Sequence, residues 1–146
     1  SQLDMGKVLN KVIPEGALEG ISSLHRVTLP EGIVSIEASA FRNCSALSGD
    51  LVLPEGLTEI GEAAFEGCIN VSEIRIPSSL TSMGRGAFAG CAKLQKLFVS
   101  QKTPVAIAED LFYGVNYALC RLYVPQESAD KYLSSPVWKK FTVIGY

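Results

Sequence analysis

A unit of 23 or 24 residues recurs along the chain, and this recurrence restricts the fold more than any other property. The segment Leu53-Pro54-Glu55-Gly56-Leu57-Thr58-Glu59-Ile60-Gly61-Glu62-Ala63-Ala64-Phe65-Glu66-Gly67-Cys68 has counterparts on both sides. Its prolines fall at Pro30, Pro54 and Pro77, its phenylalanines at Phe41, Phe65, Phe88 and Phe112, and its cysteines at Cys44, Cys68 and Cys91, with every spacing 23 or 24. Weaker copies flank these, at Ala17-Leu18-Glu19-Gly20-Ile21 and at Leu111-Phe112-Tyr113-Gly114-Val115. About five repeats result, the first of them incomplete. A fixed period of this kind marks a chain that stacks one small structural unit on the next.

A period near 23 lies in the range of leucine-rich repeats. The strand element of that architecture is also present, as Leu24-x-x-Val27-x-Leu29, Val71-x-x-Ile74-x-Ile76, Leu94-x-x-Leu97-x-Val99 and Leu119-x-x-Leu122-x-Val124. Alternation at the end of each segment has the period of two expected of a strand with one buried face. Leu47 to Leu53 carries one residue more, which predicts a bulge or loosened turn. The expected fold is therefore α/β: a right-handed leucine-rich-repeat solenoid with short parallel strands on one face and turns and short helical segments on the other. It would occupy residues 1–125, with 1–16 a degenerate or truncated N-terminal portion containing Met5, Val8, Leu9, Val12 and Ile13.

Stacking sets equivalent residues about 4.8 Å apart, the spacing of neighbouring strands, so each column of the repeat can be read as one environment. Leu18, Phe41, Phe65, Phe88 and Phe112 are large and apolar in every copy and belong to the core. Gly20, Asn43, Gly67, Gly90 and Gly114 are residues that tolerate positive φ, and each follows a short segment that it would end in the left-handed conformation. Ile21, Cys44, Cys68, Cys91 and Val115 mix thiols with aliphatics, which favours cysteine as a small buried hydrophobe. Rung spacing would permit a disulfide between adjacent copies, but three thiols leave one over. A straight ladder without histidine is poorly shaped for tetrahedral zinc. Cys120 stands outside this column.

At these residues the sequence resembles the BspA-like class of bacterial leucine-rich repeats, whose unit LP-x-x-L-x-x-I-G-x-x-A-F-x-x-C is matched nearly in full by Leu53 to Cys68. Leu29 to Cys44 departs from it at Glu37, where the pattern prefers glycine, and Ile76 to Cys91 departs at Met83. The resemblance covers roughly residues 17 to 125. The tail, Val124-Pro125-Gln126-Glu127-Ser128 with Tyr132 and Ser135-Pro136-Val137-Trp138-Lys139-Lys140-Phe141, looks like the closing segment of that class. Residues 126–146 are accordingly expected to form a C-terminal capping segment, with a short helix over Gln126 to Leu133 interrupted near Pro136. Tyr132, Trp138 and Phe141 would cover the end of the core, although Trp138 could serve instead as a ligand anchor. The resemblance implies a bacterial protein, on the cell surface or secreted, that adheres to other proteins, often those of a host, and that comes from a longer parent chain.

Residues between the buried strand positions point outward from the sheet and form two columns: Arg26, Asp50, Glu73, Lys96 and Arg121, and beside them Thr28, Val52, Arg75, Phe98 and Tyr123. Packing does not dictate these residues and they do not repeat, which is how a fixed scaffold acquires specificity. Phe98 and Tyr123 should be adjacent and flanked by Arg75, Lys96 and Arg121, the composition of a protein-binding hot spot. An ordinary solvated face, with aromatics present because they suit strands, is the plainer reading.

Other signals exclude more than they suggest. Thirteen basic against fifteen acidic residues leave a net charge of −2, without the cationic excess a nucleic-acid binder needs. No apolar run approaches the roughly 18 residues of a membrane span. Ser1 to Gly6 show neither the charged nor the apolar region of a secretory signal. His25 is the only histidine and has no assignable catalytic partner. Gly84-Arg85-Gly86 is too short for a phosphate loop. Asn43-Cys44-Ser45 and Asn70-Val71-Ser72 match glycosylation sequons, but the repeat accounts for both. The acidic residues have no calcium-ligand spacing. No enzyme, cofactor or metal site is expected. The expected function is a non-catalytic adhesion module that contacts a protein ligand through the strand face. A spacer that projects another domain and a carbohydrate-binding module are the alternatives.

Overall fold

The computed structural model describes residues 2–4 and 11–146. Each repeat is one coil of a solenoid, and successive coils pair in parallel on two faces. The long strands are β1 (Gln2–Asp4), β3 (Arg26–Thr28), β5 (Ser48–Val52), β7 (Asn70–Ile76), β9 (Lys96–Val99), β10 (Arg121–Val124) and β11 (Thr142–Gly145). Between them lie two-residue strands, β2 (Val12–Ile13), β4 (Ser35–Ile36), β6 (Glu59–Ile60) and β8 (Ser82–Met83). The long strands form a five-stranded sheet in the order β11-β10-β9-β7-β5 beside the pair β1-β3, and the short ones form a sheet of their own, β2-β4-β6-β8. Of the first 16 residues, Met5, Val8 and Leu9 lie outside the described residues, but β1 already pairs with β3, and β2 with β4 in the short-strand sheet.

The columns read from the sequence are physical stacks. Phe41, Phe65, Phe88 and Phe112 are fully buried, with consecutive ring centroids 5.0, 5.6 and 5.8 Å apart and nearly parallel planes. Gly20, Asn43, Gly67, Gly90 and Gly114 all have positive φ. The expected helical segments are hydrogen-bonded turns in the repeats, whereas the helix α1 (Ala129–Leu133) lies in the C-terminal tail, where a short helix was expected. These turns are tied across coils: Phe41 N–H donates to Ala64 O and Phe65 N–H to Ala87 O, both at 2.8 Å, and Asn43 N–H donates to Glu66 O at 2.7 Å. Such rungs satisfy turn amides that a helix would have satisfied internally.

The glycine preference noted at position 37 has a steric origin. A Cβ on Gly61 would stand 2.4 Å from the backbone nitrogen of Ala38, and one on Gly84 2.3 Å from that of Glu62. Glu37 is instead accommodated against the first coil, where its carboxylate accepts the Glu15 N–H at 2.9 Å.

All four cysteines are free and buried. Each thiol of the column donates to a main-chain carbonyl of the preceding coil: Cys44 Sγ to Leu18 O at 3.1 Å, Cys68 Sγ to Phe41 O at 3.2 Å, and Cys91 Sγ to Phe65 O at 3.6 Å. A small side chain carrying a weak donor suits that position. Ile21 of the same column departs from the expectation of burial at 38% exposure, because no earlier turn among the described residues packs over it.

Two strand assignments are refined. A register shift falls within Leu47 to Leu53, between Gly49 and Asp50, but the unpaired residue is on the partner strand: Gly49 faces Val71 and Asp50 faces Glu73, so that Ser72 of β7 is skipped. In the last coil Leu119 is not a core residue: it is 71% exposed, and Cys120 is buried instead. Five residues separate Val115 from the strand start at Arg121, where four separate Cys91 from Lys96, so Leu119 is displaced outward in the longer turn, and Cys120 N–H bonds back to Asn116 O.

In the tail, Tyr132, Trp138 and Phe141 are buried. Trp138 and Phe141 meet Phe112 edge-on at 5.9 and 5.1 Å. Trp138 Nε1 donates to Val105 O and the Tyr132 hydroxyl to Gln101 O, both at 2.8 Å. Trp138 is thus committed to packing and does not reach solvent as a ligand anchor. Beyond these rings the chain adds β11, a further parallel strand paired with β10.

Candidate functional site on the strand face

The pairing of β5, β7, β9 and β10 aligns eight of the ten outward residues. Asp50, Glu73, Lys96 and Arg121 are successive cross-strand partners, as are Val52, Arg75, Phe98 and Tyr123. Arg26 and Thr28 lie on β3, which pairs with β1 and not with β5. They therefore stand to one side of the aligned columns.

Three of the four aligned members of the second column, Arg75, Phe98 and Tyr123, stack on one another. Phe98 and Tyr123 lie ring on ring, with centroids 4.5 Å apart and planes 10° apart. On the other face of Phe98 the Arg75 guanidinium sits 4.1 Å from the ring centroid, an attraction of cation and ring quadrupole worth about 0.5–1 kcal/mol at exposed positions. Arg75 is held in turn by Glu73, with Nη2 and Oε1 2.6 Å apart. The Glu73 side chain is only 12% exposed. Tyr146 meets Phe98 edge-on at 6.3 Å. Both faces of Phe98 are therefore covered, Tyr146 stands against part of its edge, and the ring is half-buried.

From this stack a groove of about 1000 Å³ runs toward the N-terminal coils, past Val52 to Thr28 and Arg26, with Tyr146 at one end and Glu31 and Glu55 on its rim. Val52 is 55% exposed there. Sequence reasoning did not find Tyr146, Glu31 or Glu55. The alternation Thr142-Val143-Ile144-Gly145 was the available signal for the strand that delivers Tyr146; the rim carboxylates belong to turns and carry none.

His25, the sole histidine, has Nδ1 2.9 Å from the carbonyl of Ser23, a local contact within its own coil. Among the described residues no three His, Cys, Asp or Glu side chains are grouped to hold a metal ion, and no helix is long and apolar enough to cross a membrane.

Parallel strands stacked coil on coil, a repeated buried aromatic and an unrepeated outer face define a leucine-rich-repeat solenoid. The chain belongs to the BspA type leucine rich repeat region family, whose pattern matches in six copies across residues 11–130, one more than the sequence columns alone distinguish. Among solved structures it is similar to a leucine rich repeat protein of T. pallidum (TpLRR), with 32% identity and a TM-score of 0.60 over 66% of this chain and 44% of that one. It is also similar in fold to a leucine-rich repeat protein from Bacteroides ovatus ATCC 8483, with 22% identity and a TM-score of 0.61 over 90% of this chain and 41% of that one. The chain thus spans less than half the length of either protein. No curated protein sequence matches it.

Proposed function

We propose that the chain is a non-catalytic binding module of adhesion type, belonging to a bacterial protein on the cell surface or secreted, and that it holds a protein ligand on the long-strand face. The reading rests above all on the Phe98–Tyr123 stack. Rigid aromatic rings beside a guanidinium are the groups that dominate protein interfaces. Here they stand where the scaffold does not need them and open onto a groove with an exposed valine.

The same geometry weighs against a carbohydrate ligand. A sugar stacks on an open ring face, and Phe98 has none, since Arg75 and Tyr123 occupy both sides. Its free edge is suited to side chains of a polypeptide. Probing an array of extracellular-matrix proteins and glycans with the pure chain tests the proposal. Capture of a protein that Phe98→Ala with Tyr123→Ala abolishes is the expected result, with the fold retained by circular dichroism. Glycan-only capture, or protein capture indifferent to both substitutions, would overturn it.

A further inference from the structure

Next to the aromatic stack stand two cations that the fold does not use. Lys96 and Arg121 are direct cross-strand neighbours on β9 and β10, and both are exposed. Among the described residues neither side chain makes a hydrogen bond or an ion pair. By contrast, Arg42, Arg75, Arg85, Lys102 and Lys140 each have a carboxylate within 4 Å. Glu73 is the partner of Lys96 on the other side, but its carboxylate is directed to Arg75. Like charges placed opposite each other on neighbouring strands repel and destabilise a sheet. A chain of net charge −2 therefore carries an uncompensated positive site on its outer face.

The rings add to that charge. An aromatic ring is negative over its faces and positive at its edge. With the faces of Phe98 covered by Arg75 and Tyr123 and Tyr146 against part of its rim, what the ring leaves to a ligand is the remainder of its edge. Lys96 and Phe98 share one strand and one side of the sheet, about 6.6 Å apart along it, as do Arg121 and Tyr123. The four side chains thus form one patch, carrying two unpaired cations, whose Phe98 side opens onto the groove that holds Val52.

We propose that this patch recognises a carboxylate-bearing polypeptide segment: Asp or Glu side chains seated on Lys96 and Arg121, with adjoining apolar side chains passing over the edge of Phe98 toward Val52. This rests on the protein-binding reading of the face and specifies the partner's chemistry. A polypeptide is favoured over an anionic polysaccharide because the groove beyond the patch offers both the exposed Val52 and polar groups to a chain of mixed side chains, and Phe98 offers no open face to a sugar.

Poly-L-glutamate is the direct probe, with poly-L-lysine and heparin as comparison arms, measured by fluorescence anisotropy at low and at physiological salt. Poly-L-glutamate should bind, more weakly as salt rises, and Lys96→Glu with Arg121→Glu should reduce its affinity at least about tenfold, the equivalent of about 1.4 kcal/mol. A control pair off this face, Lys11→Glu with Lys139→Glu, should leave it unchanged. Absence of poly-L-glutamate binding, equal loss in the control pair, or heparin binding tighter than poly-L-glutamate through the same two cations would overturn the inference. The two readings fail separately. If a captured protein depends on Phe98 and Tyr123 but is indifferent to reversal of Lys96 and Arg121, the binding face stands and the acidic partner does not.

Discussion

Gly61 and Ala63 sit two residues apart in one turn and answer to opposite constraints. At Gly61 the limit is space, since a Cβ would press on the backbone of Ala38. Backbone atoms cannot step aside as a side chain tip can, so Gly61→Ala should lower stability by about 1–3 kcal/mol, read from the midpoint of denaturant unfolding. At Ala63 the limit is conformation. Its φ is 55°, in the region that costs a residue with a Cβ about 1–2 kcal/mol, and Gly86 occupies the equivalent place in the next coil with φ 62°. Ala63→Gly relieves that strain at the cost of a more flexible unfolded chain, so a net gain of about 0.5–1 kcal/mol is expected. A loss at Ala63 in the same unfolding series would count against this account of the turn.

Among the elements, the buried thiols, those of the column together with Cys120, give the clearest pH signature. Burial pushes the Cys91 and Cys120 thiols up to about 12. Cys68 is raised as well, by burial first and then by its neighbours Cys91 and Cys44. The folded state therefore favours the neutral thiol. That contribution is complete below the unfolded thiol pKa of about 8.5 and is lost as pH rises from there toward about 12. The melting temperature should be level from neutral pH to about 8.5 and fall above it, and Cys91→Val should lessen the alkaline fall. The thiols should also resist alkylation at neutral pH until the chain unfolds; rapid labelling of Cys68 or Cys91 in the native state would contradict their placement. The elements differ in how plainly the sequence announced them. The Phe and Gly columns were legible because each recurs and each is dictated by the coil. The strands Ser35–Ile36, Glu59–Ile60 and Ser82–Met83 were not, since two residues are too few to display a period. Leu119 misled because its spacing to Leu122 copies that of Leu94 to Leu97, while an added turn residue hands the buried place to Cys120.

For the whole molecule, each coil touches only its neighbours, so stability is a sum over coils and the interfaces between them. Phe41 and Phe65 lie in turns flanked by further turns, and their N–H groups donate to the coil ahead. Their amides should exchange with deuterium more slowly than those of Gly16 and Leu18 in the first described turn; uniform rates would mean that the solenoid opens only as one unit. The outer face was legible as two columns of residues but not as a site. The stacking of Arg75 on Phe98, its tie to Glu73 and the approach of Tyr146 depend on side-chain conformations and on a strand from the tail, none of which leaves a repeat. The state of the cysteines reaches further. With four thiols donating to carbonyls or simply packed, and none joined to another, the fold has no covalent link to make or break. It needs no oxidant to mature, a reductant has nothing to cleave, and the same native structure can persist unchanged in a reducing cytosol or an oxidising exterior.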